Sequence, residues 1–165
     1  MNISENILSS KSMYKNNHIE ITLTSACNVM CSYCPQTTSI RAYRKLDHGE
    51  NLSPDDLRNM SLENFKKIIK NVDFCVSKVF FTGFTEPLTN PHWFECVEYA
   101  RELGYEVFLN TTLIGAAPDD IDKLLTLDVP IRIHLTDSKK TIDSSIYNLI
   151  SEKYQGPVEF DYFTE

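Results

Sequence analysis

The chain has no long hydrophobic run. Its 165 residues nowhere approach the ~18–20 consecutive apolar positions that span a bilayer. Residues 1–17 are polar and rich in Ser, Asn and Lys, without the apolar stretch of a secretory signal. Net positive charge is also missing. Sixteen Lys and Arg against 23 Asp and Glu leave −7, which argues against a general nucleic-acid or anionic-membrane surface, local basic patches aside. The cysteines do not form an even set. Five of them without a signal sequence make a poor disulfide framework, and a reducing cytoplasm that keeps thiols available for metal is expected. There is no internal repeat and no low-complexity tract. What is present, 42% hydrophobic and 24% charged residues, suits one soluble domain with a real core.

Short apolar strands alternate with amphipathic helices along this length. His18–Thr24 alternates strictly and reads as a first strand. A long polar loop over 36–60 follows, and Ser61 is placed to cap a helix carrying Leu62, Phe65, Ile68, Ile69 and Val72. Lys78–Thr82 is a second strand. Pro91 suits the first turn of a helix with Trp93, Phe94, Val97, Ala100 and Leu103 on its apolar face, closed by Gly104. Tyr105–Thr112 is a third strand, and Pro118 opens a helix with Ile121, Leu124 and Leu125. Ile131–Thr136 is a fourth strand, followed by a helix through Ile142, Ile146, Leu149 and Ile150 that stops at Gly156-Pro157. Val158–Phe163 is the fifth strand. Regular β/α alternation predicts a parallel sheet with right-handed crossovers, either doubly wound or barrel-like.

Parallel strands buried on both faces read as continuous apolar runs. These do not. Ile19, Ile21 and Leu23 alternate with Glu20, Thr22 and Thr24, and Ile131, Ile133 and Leu135 alternate with Arg132, His134 and Thr136. With the apolar set under the helices, the other face carries Glu20, Thr22, Thr82, Asn110, Thr112, Arg132, His134 and Asp161. This composition fits a solvated, ligand-holding concavity, with an ordinary wet-faced sheet as the competing reading.

The first strand runs into Cys27-Asn-Val-Met-Cys31-Ser-Tyr-Cys34, three cysteines within eight residues at the strand's C-terminal end, where α/β proteins place their sites. Three thiolates in one short loop suit a soft metal centre and leave it one ligand short of four. Structural zinc asks for four ligands, usually in two close pairs, and the next cysteine, Cys75, lies far downstream. A thioredoxin-like reading of Cys31 and Cys34 leaves Cys27 unexplained. A three-thiolate iron–sulfur cluster is the favoured reading over zinc or plain thiol redox chemistry.

This CxxxCxxC loop, with Tyr33 before its last cysteine, resembles the signature of radical S-adenosylmethionine (radical SAM) enzymes. Two further segments agree. Thr82-Gly83-Phe84-Thr85-Glu86-Pro87-Leu88 is similar to the family's Gly-Gly-Glu-Pro motif, with Phe-Thr between glycine and glutamate, and Asn90-Pro91 follows it as in relatives. Leu109–Leu113 stands where relatives often carry Thr-Asn-Gly. The resemblance covers about residues 18–164 and implies a partial, TIM-like (βα) barrel, here of about five units, with residues 1–17 as a polar extension and 18–165 as a core domain lacking its last strand.

The resemblance also implies a chemistry and a site. Cys27, Cys31 and Cys34 hold a 4Fe–4S cluster whose open iron takes the amino and carboxylate groups of S-adenosylmethionine. Reductive cleavage then yields a 5′-deoxyadenosyl radical that abstracts a substrate hydrogen. Gly83 to Glu86 lie along the methionine moiety, with backbone groups there, and with them the Glu86 carboxylate, toward its ammonium. Tyr33 approaches the adenine, and Asn110, Thr112 and His134 reach ribose, carboxylate or substrate. A flavodoxin- or ferredoxin-type electron donor and an unidentified small-molecule or peptide substrate are implied as partners. Competing readings are a non-catalytic iron–sulfur or metal-binding module, a truncated fragment, and a small activase of glycyl-radical enzymes. Residue by residue, Glu86 competes with a turn role, Tyr33 with simple packing and His134 with a structural hydrogen bond. Cys75 and Cys96 read as small buried hydrophobes, and Arg41, Arg44 and Lys45 as a solvated loop.

Overall fold

The computed structural model describes residues 17–24, 27, 31, 34–35, 59–72, 76–83, 85–135 and 144–162. Five strands form one sheet: β1 (Asn17–Ile21), β2 (Val76–Phe81), β3 (Glu106–Thr111), β4 (Ile131–Leu135) and β5 (Val158–Tyr162). Between them lie α1 (Leu62–Lys70), a 3₁₀ turn (Pro87–Thr89), α2 (Trp93–Glu102), α3 (Pro118–Thr126) and α4 (Ser144–Lys153). Every neighbouring pair of strands is parallel, and the sheet order is the chain order. The strand order never reverses, so crossovers of one hand lay the helices along one face of the sheet and leave the other uncovered among the described residues. A doubly wound sheet needs a reversal, so the barrel-like reading holds.

Three of the helices carry local signals at their ends. Ser61 caps α1 with its hydroxyl accepting from Asn64 N–H at 3.2 Å. Gly104, at φ +85°, follows α2, and Pro118 opens α3. The covered face is the core. Ile21, Val79, Phe81, Val107, Leu109, Ile131 and Ile133 from the sheet are buried together with Phe65 and Ile69 of α1, Trp93, Cys96, Val97 and Ala100 of α2, Ile121 and Leu124 of α3, and Ile150 of α4. Phe65 and Phe81 meet at 5.7 Å between ring centres. Cys96 is fully buried and burial pushes its thiol up to about 12, as suits a small apolar filler. Ile68 and Leu103 do not join this core. Both are 43% exposed among the described residues.

The uncovered face alternates as expected near the strand C-termini and departs from expectation below. Asn110, Arg132 and Glu159 lie in one row, and His134 pairs in register with Asp161. One row lower the register aligns Glu20, Phe80 and Phe108. The two phenylalanine rings stack at 4.5 Å and 5°, with His18 edge-on to Phe80 at 5.0 Å. This aromatic strip is flanked by the Lys78–Glu106 ion pair at 3.2 Å. The strands are shorter at their C-terminal ends than the sequence pattern suggests: Thr22 to Thr24, Thr82 and Thr112 have left the ladder. Of these freed residues, Thr82 and Thr112 line the site.

Candidate active site

A cleft of ≈ 370 Å³ opens at the C-terminal end of the sheet. Cys27, Cys31, Cys34 and Pro35 form one wall. Thr82, Gly83 and Thr85 after β2, with Asn110, Thr111 and Thr112 from the end of β3, form its floor. Arg132 and His134 of β4 and Asp161 of β5 form the opposite wall. Of the positions expected from sequence, the cleft gathers Cys27, Cys31, Cys34, Gly83, Asn110, Thr112 and His134. Glu86 is not on its surface, Glu20 lies one row below it, and Tyr33 and Cys75 fall outside the described residues.

The three cysteines are half-buried and none is in a disulfide. Cys34 N–H donates to the Cys31 carbonyl at 3.3 Å, a turn that brings the later two to the same wall. Among the described residues no group of three or more His, Cys, Asp or Glu side chains is drawn together as the ligands of one ion. A cluster asks for a different arrangement: in an iron–sulfur cube each thiolate takes its own iron, so the sulfurs stand around the group instead of meeting at a point. Three thiols on one wall fit that donor set.

The root of the cysteine segment is pinned. Met60 N–H donates to the Leu23 carbonyl at 2.8 Å, and Thr24 and Asn59 form an antiparallel bridge, so the excursion over 25–58 leaves and re-enters at one neck. Asn90 closes it. Fully buried, its amide donates to the Leu23 carbonyl at 2.6 Å and to the Met60 carbonyl at 3.0 Å, while its Oδ1 accepts from His92 N–H at 2.8 Å. Accepting from a backbone N–H fixes which end of the amide is oxygen.

The turn after β2 is shaped for close approach. Gly83 has φ +115°, and a Cβ there would overlap the Thr22 hydroxyl, so backbone geometry and space both demand glycine. Two residues on, the Thr85 hydroxyl is buried without a hydrogen-bond partner among the described residues, although Thr85 lines the cleft. Orphaned buried hydroxyls are uncommon. One in the floor of a cleft fits a site built for a polar ligand.

Glu86 turns inward instead. It is 1% exposed, and both oxygens are fully engaged. Oε1 accepts from Leu88 N–H at 3.2 Å and the Thr111 hydroxyl at 2.6 Å. Oε2 accepts from Thr112 N–H and the Thr112 hydroxyl, each at 2.7 Å. Burial pushes this carboxyl up from its ordinary 4.5, against four hydrogen bonds that pull it down. In this geometry the lone pairs of the carboxylate are spent on Leu88 and on the end of β3.

On the opposite wall the polar groups come as cross-strand pairs. Arg132 Nε and Nη2 both donate to Glu159 Oε2 at 3.0 Å, and His134 Nδ1 stands 3.7 Å from Asp161 Oδ2. Asn110 Nδ2 donates to the Thr82 hydroxyl at 2.9 Å, joining the floor across β2 and β3. Three contributors escape a reading of the sequence: Asn90 as the clamp of the neck, Thr111 as the partner of Glu86, and Leu113, whose φ of +60° is the sole positive value at a non-glycine among the described residues. Asn90 was legible only as part of an Asn-Pro pair, and nothing local marks Leu113.

Among the described residues no helix is long and apolar enough to cross a membrane. No curated protein sequence matches the chain. A solved structure described as BtrN in complex with AdoMet and 2-DOIA superposes with a TM-score of 0.63 at 16% identity, which is a likeness of fold. The match covers 88% of this chain and 56% of that one, so the chain spans little more than half of that relative's length. The sequence profile of the radical SAM superfamily matches residues 21–144, which include all three cysteines, the Gly83–Leu88 segment and the end of β3. By that match the chain belongs to the radical SAM superfamily.

Proposed function

We propose that this chain is a radical SAM enzyme core that holds a 4Fe–4S cluster on Cys27, Cys31 and Cys34 and binds S-adenosylmethionine in the cleft beside them. The observation that carries the reading is that the three cysteines, the Gly83 turn and the polar ends of β3 to β5 line one cleft. When bound, the cluster and S-adenosylmethionine together supply reductive cleavage to a 5′-deoxyadenosyl radical that takes a hydrogen atom from substrate.

The residues of the chain supply binding, orientation and shelter. The thiolates fix the cluster against one wall and leave it one protein ligand short. The backbone around Gly83 lets a methionine moiety lie close to the sheet, and the Thr85 hydroxyl is placed to gain a partner there. Asn110 and Thr112 offer polar groups from the floor. The wall of Arg132, His134 and Asp161 faces the cysteines, and is where a substrate group would be oriented. The identity of that substrate, small molecule or peptide, and a one-electron donor of flavodoxin or ferredoxin type belong to the same proposal, as does a reducing, cytoplasmic setting for the thiols.

Anaerobic reconstitution tests it. The chain should take up about four irons and, after dithionite reduction, convert S-adenosylmethionine to methionine and 5′-deoxyadenosine. Cys31→Ala should lose both cluster and cleavage, whereas Cys96→Ala should keep them. A reconstituted cluster with no cleavage would overturn the enzyme reading in favour of a cluster-binding module.

A further inference from the structure

The end of β3 is held in a conformation that its own residues do not favour. Leu113 is buried and sits in the left-handed region at φ +60°, which a branched side chain on an L-residue avoids. Such a conformation persists only where the surroundings over-determine it, and it clusters at ligand clamps. Here the surroundings can be named. Leu113 N–H donates to the Thr111 hydroxyl at 2.9 Å, and Ile114 N–H donates to the Thr112 hydroxyl at 3.2 Å. Each hydroxyl therefore accepts from the turn and passes its own proton to Glu86. With Thr112 N–H and Leu88 N–H added, four donors converge on the two carboxylate oxygens. No cation among the described residues forms an ion pair with Glu86, so among them these four donors alone compensate its burial. Three of the four donors come from Thr111 and Thr112 at the end of β3 and one from Leu88.

We infer that Glu86 is a positioning residue, whose sealed carboxylate holds the left-handed turn at Leu113 and thereby sets where Asn110 and Thr112 stand in the cleft. It ties the turn after β2 to the end of β3 in one network. The holding of the turn stands on hydrogen bonds within the chain itself. Its consequence for cofactor binding rests on the proposed function above.

The test separates the two. Hydrogen exchange on the cluster-free chain reads the turn, and calorimetric titration of the reconstituted protein with S-adenosylmethionine reads the cleft. Glu86→Gln replaces one acceptor oxygen with a donor that faces other donors. It should raise exchange at the Leu113 and Ile114 amides at least tenfold while leaving Val107 and Leu109 of β3 protected. Thr111→Val keeps the carboxylate and removes another leg of the same network, and it should loosen the same two amides. It serves as the informative variant if Glu86→Gln does not fold. For S-adenosylmethionine, both substitutions should raise Kd, and the double variant should be little worse than the weaker single one, since both break one unit. Unchanged exchange with a raised Kd would assign Glu86 a direct contact and overturn the inference, as would additive losses. Raised exchange in protein that binds no S-adenosylmethionine in its parent form would uphold the strut and sink the proposed function instead.

Discussion

Asn90 offers the sharpest test of how the cysteine segment is held. Asn90→Ala removes three hydrogen bonds at a residue with no exposed surface: two donated to the Leu23 and Met60 carbonyls and one accepted from His92 N–H. The carbonyls do not lose everything. Leu23 keeps the bond from Met60 N–H, and the groups of Met60 and His92 are only part-buried, so water replaces some of the loss. At about 1 kcal/mol net for each bond, with some added for the unsatisfied buried partner, the cost is about 2–4 kcal/mol. For a chain of this size that is a large share of the ~5–15 kcal/mol that holds a domain together, and it lowers Tm by about 5–15 °C. Asn90→Asp should be worse, because a carboxylate oxygen would replace the amide and confront two carbonyl oxygens. Thermal and urea unfolding of the cluster-free chain measure the cost, and iron content after reconstitution reads its effect at the cysteines. The neck reasoning is refuted if Asn90→Ala melts with the parent and loads iron equally well, or if Asn90→Asp is the more stable of the two.

Two other outcomes follow from the same geometry. Gly83→Ala meets a left-handed φ and the Thr22 hydroxyl together, and should cost about 1–3 kcal/mol; Thr22→Ala should restore part of it, since only the overlap is removed, and full restoration in a denaturation assay would mean φ carries no cost. Glu86 has a folded pKa above its ordinary 4.5, so above pH 4.5 there is a window in which the folded chain keeps a proton that the unfolded chain has released. Lowering the pH through that window should therefore stabilise the parent relative to Glu86→Gln, and a stability difference that stays flat with pH would contradict the burial effect.

Much of this arrangement was legible in the sequence, and its gaps have physical reasons. The alternation of Ile131, Ile133 and Leu135 with Arg132 and His134 marked the two faces of β4, because strand period and solvation agree there. In β2 the run Val79-Phe80-Phe81 is apolar throughout, so period two gave no signal that Phe80 faces the open side and stacks on Phe108. Ile68 follows the helical period yet stays exposed, since periodicity names a stripe and only the neighbouring elements decide how wide a stripe they cover. The cysteine spacing drew attention to one wall of the cleft. The inward course of Glu86 was invisible, because a carboxylate next to proline reads the same whether its partners are a ligand or two threonines 25 and 26 residues away. Leu113 shows the same limit in sharper form: a left-handed leucine is imposed by tertiary hydrogen bonds, and no local preference announces it.

Sequential sheet order carries a kinetic consequence. From β2 onward each strand pairs with one that begins 20 to 25 positions after the previous strand ends, whereas Ile21 and Val76 are 55 apart. Loop-closure entropy rises as the logarithm of length, so joining β1 costs about 0.8 kcal/mol more than any later pairing. That is a roughly fourfold handicap in rate, and β1, at the edge of the sheet, pairs with β2 alone among the described residues. The β2–β5 segment therefore assembles ahead of β1, with pulse-labelled amides of β1 gaining protection last. On this order the floor and far wall of the cleft are formed before the wall bearing the cysteines docks against them.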